Sequence, residues 1–292
     1  MVMQYGNHHM AEGKPFLGSL LMVATLQTVV FGIGPQQDVK TPQKVTVAII
    51  QFDTVPEAVD RNLGEMERLT RTAVERGARW IMFHEGCVVD YTPRVKALAE
   101  PVPEGKSTQR MLHLAAELDC YISFGLSERN GERFHISQVF VGPQELVHCY
   151  RKTWLHRTDE DIGYRNELAR YDPGTGPSLF EIDGVSAACF ICADATAPRC
   201  IERLRDLKPQ VVFHPNNHVN RSPKANWKTK RERTEQIGAP VLVSNRIGHS
   251  WRYHCEGGCG VISAGGELLA QSNTEGKEEV LLYELKISGT RR

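Results

Sequence analysis

The chain lacks a surplus of charge of either sign. Lysine plus arginine and aspartate plus glutamate number 35 each in 292 residues, so there is no global field to draw in nucleic acid or an acidic membrane surface. No internal repeat and no low-complexity segment is visible, which leaves a repeat architecture unsupported. A regular cysteine pattern is missing too: eight cysteines in a chain of this length are too sparse for a disulfide framework. Several of them, Cys120 and Cys189 included, sit inside apolar strand-like runs and read as reduced core residues, which favours a reducing, cytoplasmic setting. Cys189-x-x-Cys192, and Cys255-x-x-x-Cys259 beside His249 and His254, invite a metal or redox reading. Residues three apart on a strand face opposite sides, however, so Cys189 and Cys192 cannot easily share a ligand or a disulfide. Neither a metal nor a cofactor is expected.

What is present is ordinary for a soluble globular protein: 41% hydrophobic and 24% charged residues. Length alone allows one large domain or two. With charge balanced, a small neutral or zwitterionic molecule is the easier substrate expectation.

Residues 1–43 are the least readable. Phe16 to Gly34 is uncharged and mostly apolar, at the lower edge for a membrane-spanning helix, and it carries Ser19, Thr25, Gln27 and Thr28. As a signal peptide it has a thin basic region and no Ala-x-Ala, although Gly32-Ile-Gly34 is a small-x-small pattern. The segment reads as an N-terminal extension: a signal or anchor, with export or membrane contact through residues 16–34 as the alternative location, or a start placed too far upstream.

From Lys44 onward, element types alternate. Val45 to Ile50 reads as a central strand, and Pro56 to Gly77 as a helix with Val59, Leu63, Met66, Leu69 and Ala73 on one stripe. A strand over 80–85, a helix over 107–119 and a strand over 121–124 follow. Strands near 135–141 and 145–151 flank the turn signal Gly142-Pro143. Val185 to Ile191 is a run of strand formers ending at Cys192, with a helix beginning near Pro198 and running over 199–207. Then come a strand over 210–214, a basic helix over 223–236, a strand over 241–245, and a pair near 259–263 and 267–271 joined by Gly265-Gly266. Strand and helix in alternation, with some hairpins, give an α/β layered fold in a single domain over 44–292.

Three of these runs end on reactive side chains. Trp80-Ile-Met-Phe-His84-Glu85 ends on a carboxylate, Leu146-Val-His-Cys-Tyr-Arg-Lys152 on an ammonium, and the run from Val185 on the thiol of Cys192. Carboxyl ends of strands in α/β sheets are where ligands sit. A glutamate, a lysine and a cysteine converging there supply a base, a cation for an oxyanion and a nucleophile. Taken singly, each has a bland reading: a solvated strand end, a surface cation, a small core residue.

As an ordered set, the three stretches resemble the Glu-Lys-Cys triad of the nitrilase superfamily of carbon–nitrogen hydrolases. Phe83-His84-Glu85 stands where that family has Phe-Pro-Glu, Tyr150-Arg151-Lys152 matches Tyr-Arg-Lys, and Ile191-Cys192-Ala193-Asp194 matches Ile-Cys-x-Asp. The similarity runs from about Lys44 to the strand near Leu285. It implies a four-layer α-β-β-α sandwich and association into a homodimer or higher homo-oligomer. It implies Cys192 as nucleophile and Glu85 as the base that takes the thiol proton and later returns it to the leaving amine. Lys152 and the backbone N–H of Ala193 would hold the oxyanion, and an acyl thioester on Cys192 would be hydrolysed by water. Glu167, in Glu167-Leu-Ala-Arg-Tyr171-Asp-Pro-Gly174, matches a further family glutamate that orients the lysine and the substrate. Asn245-Arg246-x-Gly248 matches a structural motif.

The departures bear on the pocket. His84 replaces the usual proline, Arg199 stands where glutamate is common, and the helix before Val241 offers Gln236-Ile237 for Glu-Asn. Ala193-Asp194 replaces the Trp-Glu of nitrile-cleaving members, which tilts the expected substrate to a small amide or N-carbamoyl compound. A nitrilase, a transferase using the same thioester, and a non-catalytic binding protein of the same fold remain alternatives.

Overall fold

The computed structural model describes residues 43–218 and 227–287. The apolar run 16–34 and the reading of residues 1–43 as an extension therefore lie outside the described residues, save that Gln43 opens the first strand. The first half of the chain runs β1 (Gln43–Gln51), α1 (Val59–Glu75), β2 (Trp80–Met82), α2 (Val95–Leu98), α3 (Lys106–Leu118), β3 (Tyr121–Asn130), β4 (Arg133–Val141) and β5 (Leu146–Arg151). The second half runs β6 (Phe180–Ile182), β7 (Val185–Cys189), α4 (Pro198–Leu207), β8 (Val211–Pro215), α5 (Trp227–Ile237), β9 (Val241–Ser244), β10 (Ile247–Ser250), β11 (Tyr253–Glu256), β12 (Gly260–Ile262), β13 (Leu268–Gln271) and β14 (Glu279–Ile287).

Two six-stranded sheets result, in the orders β14-β1-β2-β3-β4-β5 and β13-β12-β9-β8-β7-β6. The inner pairs β1-β2-β3 and β7-β8-β9 are parallel and the outer ones antiparallel. The period of two along β1 explains the layering. Val45, Val47 and Ile49 enter a core shared with Val185, Ala187, Val211 and Leu242 of the other sheet. Ala48 and Ile50 point the other way, onto Leu63, Met66 and Leu69 of α1 and Met111 and Leu114 of α3. On the far side, Ala188, Val212 and Val243 pack against Ile201 and Leu204 of α4 and Trp227 and Ile237 of α5. The order of layers is thus helices, sheet, sheet, helices: the four-layer α-β-β-α sandwich. Each fully buried Leu or Met of α1 contributes roughly 1.5–3 kcal/mol, enough to fix which face of the helix turns inward.

The structure shortens two predicted strands. The one expected over 80–85 stops at Met82, because the chain turns at Gly86 (φ +66°) and Asp90 N–H donates back to Gly86 O. The one expected over 185–191 stops at Cys189, because Ile191 N–H is taken by the Asp194 carboxylate instead of a neighbouring strand. β3 reaches Asn130, well past Phe124, and forms a hairpin with β4 across the two-residue loop Gly131-Glu132, with Asn130 paired to Arg133. The short elements α2, β6 and the β10–β11 hairpin have too few residues for a period to register. All eight cysteines are free, and among the described residues no cluster of three or more metal-ligating side chains occurs. Among the same residues no helix is long and apolar enough to cross a membrane.

Candidate active site

Glu85 lies three residues beyond β2, Lys152 directly follows β5, and Cys192 lies three residues beyond β7. All three therefore sit on loops that leave strand ends, where side chains can be aimed without breaking a ladder. The Glu85 loop is held on both sides. Phe83 O accepts from Gln138 Nε2 at 3.2 Å and from Ser244 Oγ at 3.1 Å, and a Cβ at Gly125 would lie 2.3 Å from Gly86 N. Glycine at 125 is what lets β3 pass so close behind the glutamate. His84, the residue in place of the family's proline, is fully buried. Its Nδ1–H donates to Glu85 O at 2.9 Å and its Nε2 accepts from Thr54 Oγ1 at 2.9 Å. Burial, reinforced by the Arg246 charge, lowers its pKa to about 3, so it is a neutral strut for the backbone of Glu85.

Lys152 is 0% exposed, and Glu85 and Glu167 are 1% exposed each. Nζ of Lys152 donates to Glu85 Oε1 at 2.7 Å and to Glu167 Oε1 at 2.7 Å. The remaining oxygens are occupied as well. Asn217 N–H donates to Glu85 Oε2 at 2.9 Å, His156 N–H to Glu167 Oε2 at 2.7 Å, and Tyr91 OH to Glu167 Oε1 at 2.9 Å. Burial works against the charge on Lys152, but Glu167 and Glu85 outweigh it and hold the ammonium above its ordinary pKa. Burial pushes the Glu85 carboxyl above its ordinary value, with Lys152 pulling the other way. One cation is thus shared by two buried carboxylates, and the raised pKa of Glu85 suits it to accept a proton.

Behind Glu85 a second buried pair sets the position of Asn217. Asp90 Oδ1 accepts from Asn217 Nδ2 at 2.7 Å, and Asp90 Oδ2 meets Arg246 Nη1 at 2.5 Å. Arg246 also donates to Thr54 O at 2.6 Å and His249 O at 2.8 Å, so the Asn245-Arg246 motif braces the loops beneath the site. Gly248 is required there: its φ is +79°, and a Cβ would sit 2.1 Å from Asp53 Oδ1.

Cys192 opens a short 3-10 turn, Cys192–Thr196, with φ +42°. A side chain at that φ is strained, and Asp194 supplies the restraint. Its Oδ2 accepts from Ile191 N–H at 2.9 Å and Tyr150 OH at 2.7 Å, its Oδ1 from Thr153 N–H at 3.1 Å and Trp154 N–H at 2.6 Å. The same carboxylate therefore ties the cysteine turn to the segment just past Lys152. His214 stacks on Phe190 at 3.9 Å and lies 3.4 Å from Cys192 O, beneath the turn.

A cavity of about 440 Å³ opens on Cys192, Ala193, Lys152 and Glu167. Glu85 does not line it; it reaches the cavity's edge through Lys152 and borders a narrow adjoining space with Tyr91 and Asn217. Burial pushes the Cys192 thiol up to about 12, and Glu85 adds to the rise while Lys152 opposes it. At neutral pH the sulfur is protonated in this environment, so attack on a substrate requires proton transfer as it proceeds, not a standing thiolate.

The structure brings Cys192, Ala193, Lys152 and Glu167 to one cavity, with Glu85 bonded to Lys152, and adds others; Arg199, Gln236, His249, His254, Cys255 and Cys259 do not line it. Tyr91, Asn217 and His214 carried no local signal, since each acts through the tertiary arrangement. Arg165 and Lys230 also line the cavity. Lys230 could have been found: Trp227, Thr234 and Ile237 are the buried residues of α5, and position 230 falls on their stripe at helical spacing.

Residues 46–292 match the model of the carbon–nitrogen hydrolase family. A nitrilase of Pyrococcus abyssi is 28% identical over 180 residues, covering 60% of this chain and 66% of that protein. The N-carbamoylputrescine amidase of Solanum lycopersicum is 26% identical over 219 residues, 70% of this chain and 71% of that one. Among solved structures, a variant of the Nesterenkonia AN1 amidase from the nitrilase superfamily superposes with a TM-score of 0.71 at 18% identity, covering 83% of this chain and 90% of that one. In a second structure of that amidase, acrylamide has added to the active-site cysteine.

Proposed function

The chain belongs to the carbon–nitrogen hydrolase family, and from that premise we propose that it hydrolyses the non-peptide C–N bond of a small amide or N-carbamoyl compound through a thioester on Cys192. The observation that carries the proposal is one cavity walled by Cys192, Ala193, Lys152 and Glu167, with Lys152 bonded to Glu85. The thiol proton passes to Glu85 as sulfur attacks the carbonyl carbon. Lys152 and the N–H of Ala193 receive the oxyanion. Glu85 then gives its proton to the leaving nitrogen, the C–N bond breaks, and ammonia or an amine departs from the acyl thioester. Water attacks that thioester as Glu85 takes its proton, the C–S bond breaks, and the sulfur is reprotonated. Glu167 holds Lys152 in place and keeps its charge.

Ala193-Asp194, where nitrile-cleaving members have Trp-Glu, supports an amide or carbamoyl substrate over a nitrile. We assign catalysis to residues 44–292, with residues 1–43 an appended segment, and expect the homo-oligomer that the family resemblance carries. The test is a screen of short amides, carbamoyl amino acids and carbamoyl amines for ammonia release. Turnover by the wild type and its loss in Cys192→Ala support the reading; turnover that survives Cys192→Ala removes it.

A further inference from the structure

The cavity walls carry more positive charge than the proposed chemistry uses. Lys152 is neutralised by Glu85 and Glu167, but Arg165 and Lys230 line the same space with no carboxylate within ion-pair distance among the described residues. Arg165 is clamped: its Nη2 donates to Asn217 O at 2.8 Å, and its guanidinium lies 4.6 Å from the centre of the Tyr91 ring and 5.3 Å from that of Tyr253. Its Nη1 is buried and has no hydrogen-bond partner among the described residues. A charged donor left so is costly unless something bound supplies the acceptor. Lys230 points inward from α5 and touches the Trp227 ring, with Nζ 5.4 Å from its centre. Burial lowers its pKa, so its charge too is unfavourable until an anion arrives.

The acids on the cavity wall offer nothing to a cationic ligand. Among the described residues Glu167 is the only carboxylate lining it, and that group already accepts from Lys152, Tyr91 and His156. His214 and His218 are held neutral chiefly by burial. A substrate amine would meet Arg165 and Lys230 with no counter-charge.

Resting on the hydrolase reading above, we propose that the substrate carries a free carboxylate, held by Lys230 and Arg165 while its amide or carbamoyl group lies against Cys192. The substrate class is then an ω-amide of a dicarboxylic acid or an N-carbamoyl amino acid, and not a carbamoyl amine such as the one named for the Solanum relative.

The test uses charge-varied sets on one skeleton. Malonamate through adipamate are compared with the matching diamides and with ω-amino amides of equal length; N-carbamoyl-β-alanine is compared with its carboxamide and with carbamoylputrescine. At the best chain length, kcat/KM for the carboxylate should exceed that of the neutral partner by about tenfold or more, as a charged hydrogen bond typically gives, with the difference in KM. Lys230→Met should bring that ratio toward unity, and Arg165→Lys should reduce it. Calorimetry with the corresponding dicarboxylates supplies an arm independent of turnover: binding to the wild type, weakened about tenfold or more by Lys230→Met. Dicarboxylate binding without turnover of any amide upholds the anion site and removes the hydrolase reading. Amide turnover that favours neutral or cationic members, with no dicarboxylate binding, upholds the hydrolase and overturns the anion site. A preference that Lys230→Met leaves intact also overturns it, and makes the two cations modulators of the Cys192 thiol.

Discussion

Lys152 Nζ sits 2.7 Å from Glu85 Oε1 in a place where neither side chain reaches water. A buried ion pair of this kind contributes little net stability, because desolvation offsets attraction, yet removing one partner is expensive. Here the cation answers for two carboxylates, so the site stands or falls on the lysine.

Replacing it is therefore expected to do two kinds of damage. Lys152→Met should lose turnover on the order of a hundredfold or more, as does loss of an oxyanion donor. It should also unfold about 3–5 kcal/mol more easily, since Glu85 and Glu167 are left facing each other. Steady-state kinetics and urea titration read the two effects. A variant of near wild-type stability would mean that the carboxylates are not held charged by this lysine.

Glu85→Gln separates activity from stability. The folded-state pKa of Glu85 lies above its ordinary 4.5, so the native state binds more protons than the unfolded one once the pH passes that value. Stability contributed by the group is then lost as pH rises from 4.5 through the raised value. Glutamine does not titrate, so the stability of Glu85→Gln relative to wild type should climb with pH over that window, while turnover collapses. Denaturant midpoints measured from pH 4 to 8 check the slope; a difference that falls with pH has the wrong sign for the account.

Asp194 is expected to matter to turnover without touching substrate. Asp194→Ala removes the acceptor for three backbone N–H groups and the Tyr150 hydroxyl, which should cost roughly 2–4 kcal/mol. With Cys192 no longer held at its left-handed φ, kcat should fall at least about tenfold while KM changes less. If kcat holds while stability drops, the turn keeps its shape without the tether.

Much of this was legible in the sequence because period and punctuation agree with the final fold. Val45, Val47 and Ile49 alternate as a strand buried on both faces, and Leu63, Met66 and Leu69 recur as one helical stripe. The order of Glu85, Lys152 and Cys192 was visible because each follows an apolar run. What did not show was where those runs stop. Ile191 is as good a strand former as Val185, and only the Asp194 carboxylate, acting across the turn, ends the strand at Cys189. The role of His84 was hidden likewise, since Thr54 lies thirty positions away. Arg165 looks like any other basic residue of its segment until folding turns it inward, whereas Lys230 shares the helical stripe of Trp227, Thr234 and Ile237.

The central claim is that Cys192 carries the acyl group, and intact-protein mass spectrometry tests it most directly. A substrate found in the screen is mixed briefly with the wild type and with Glu167→Gln, in which a weakened hold on Lys152 should slow deacylation, and the reaction is quenched with acid. The account predicts a mass increase of one acyl group on the peptide containing Cys192, and a hydroxamate when hydroxylamine is present. Turnover that proceeds with no adduct on that peptide, at any quench time and in either protein, would contradict it and leave direct attack by water as the route.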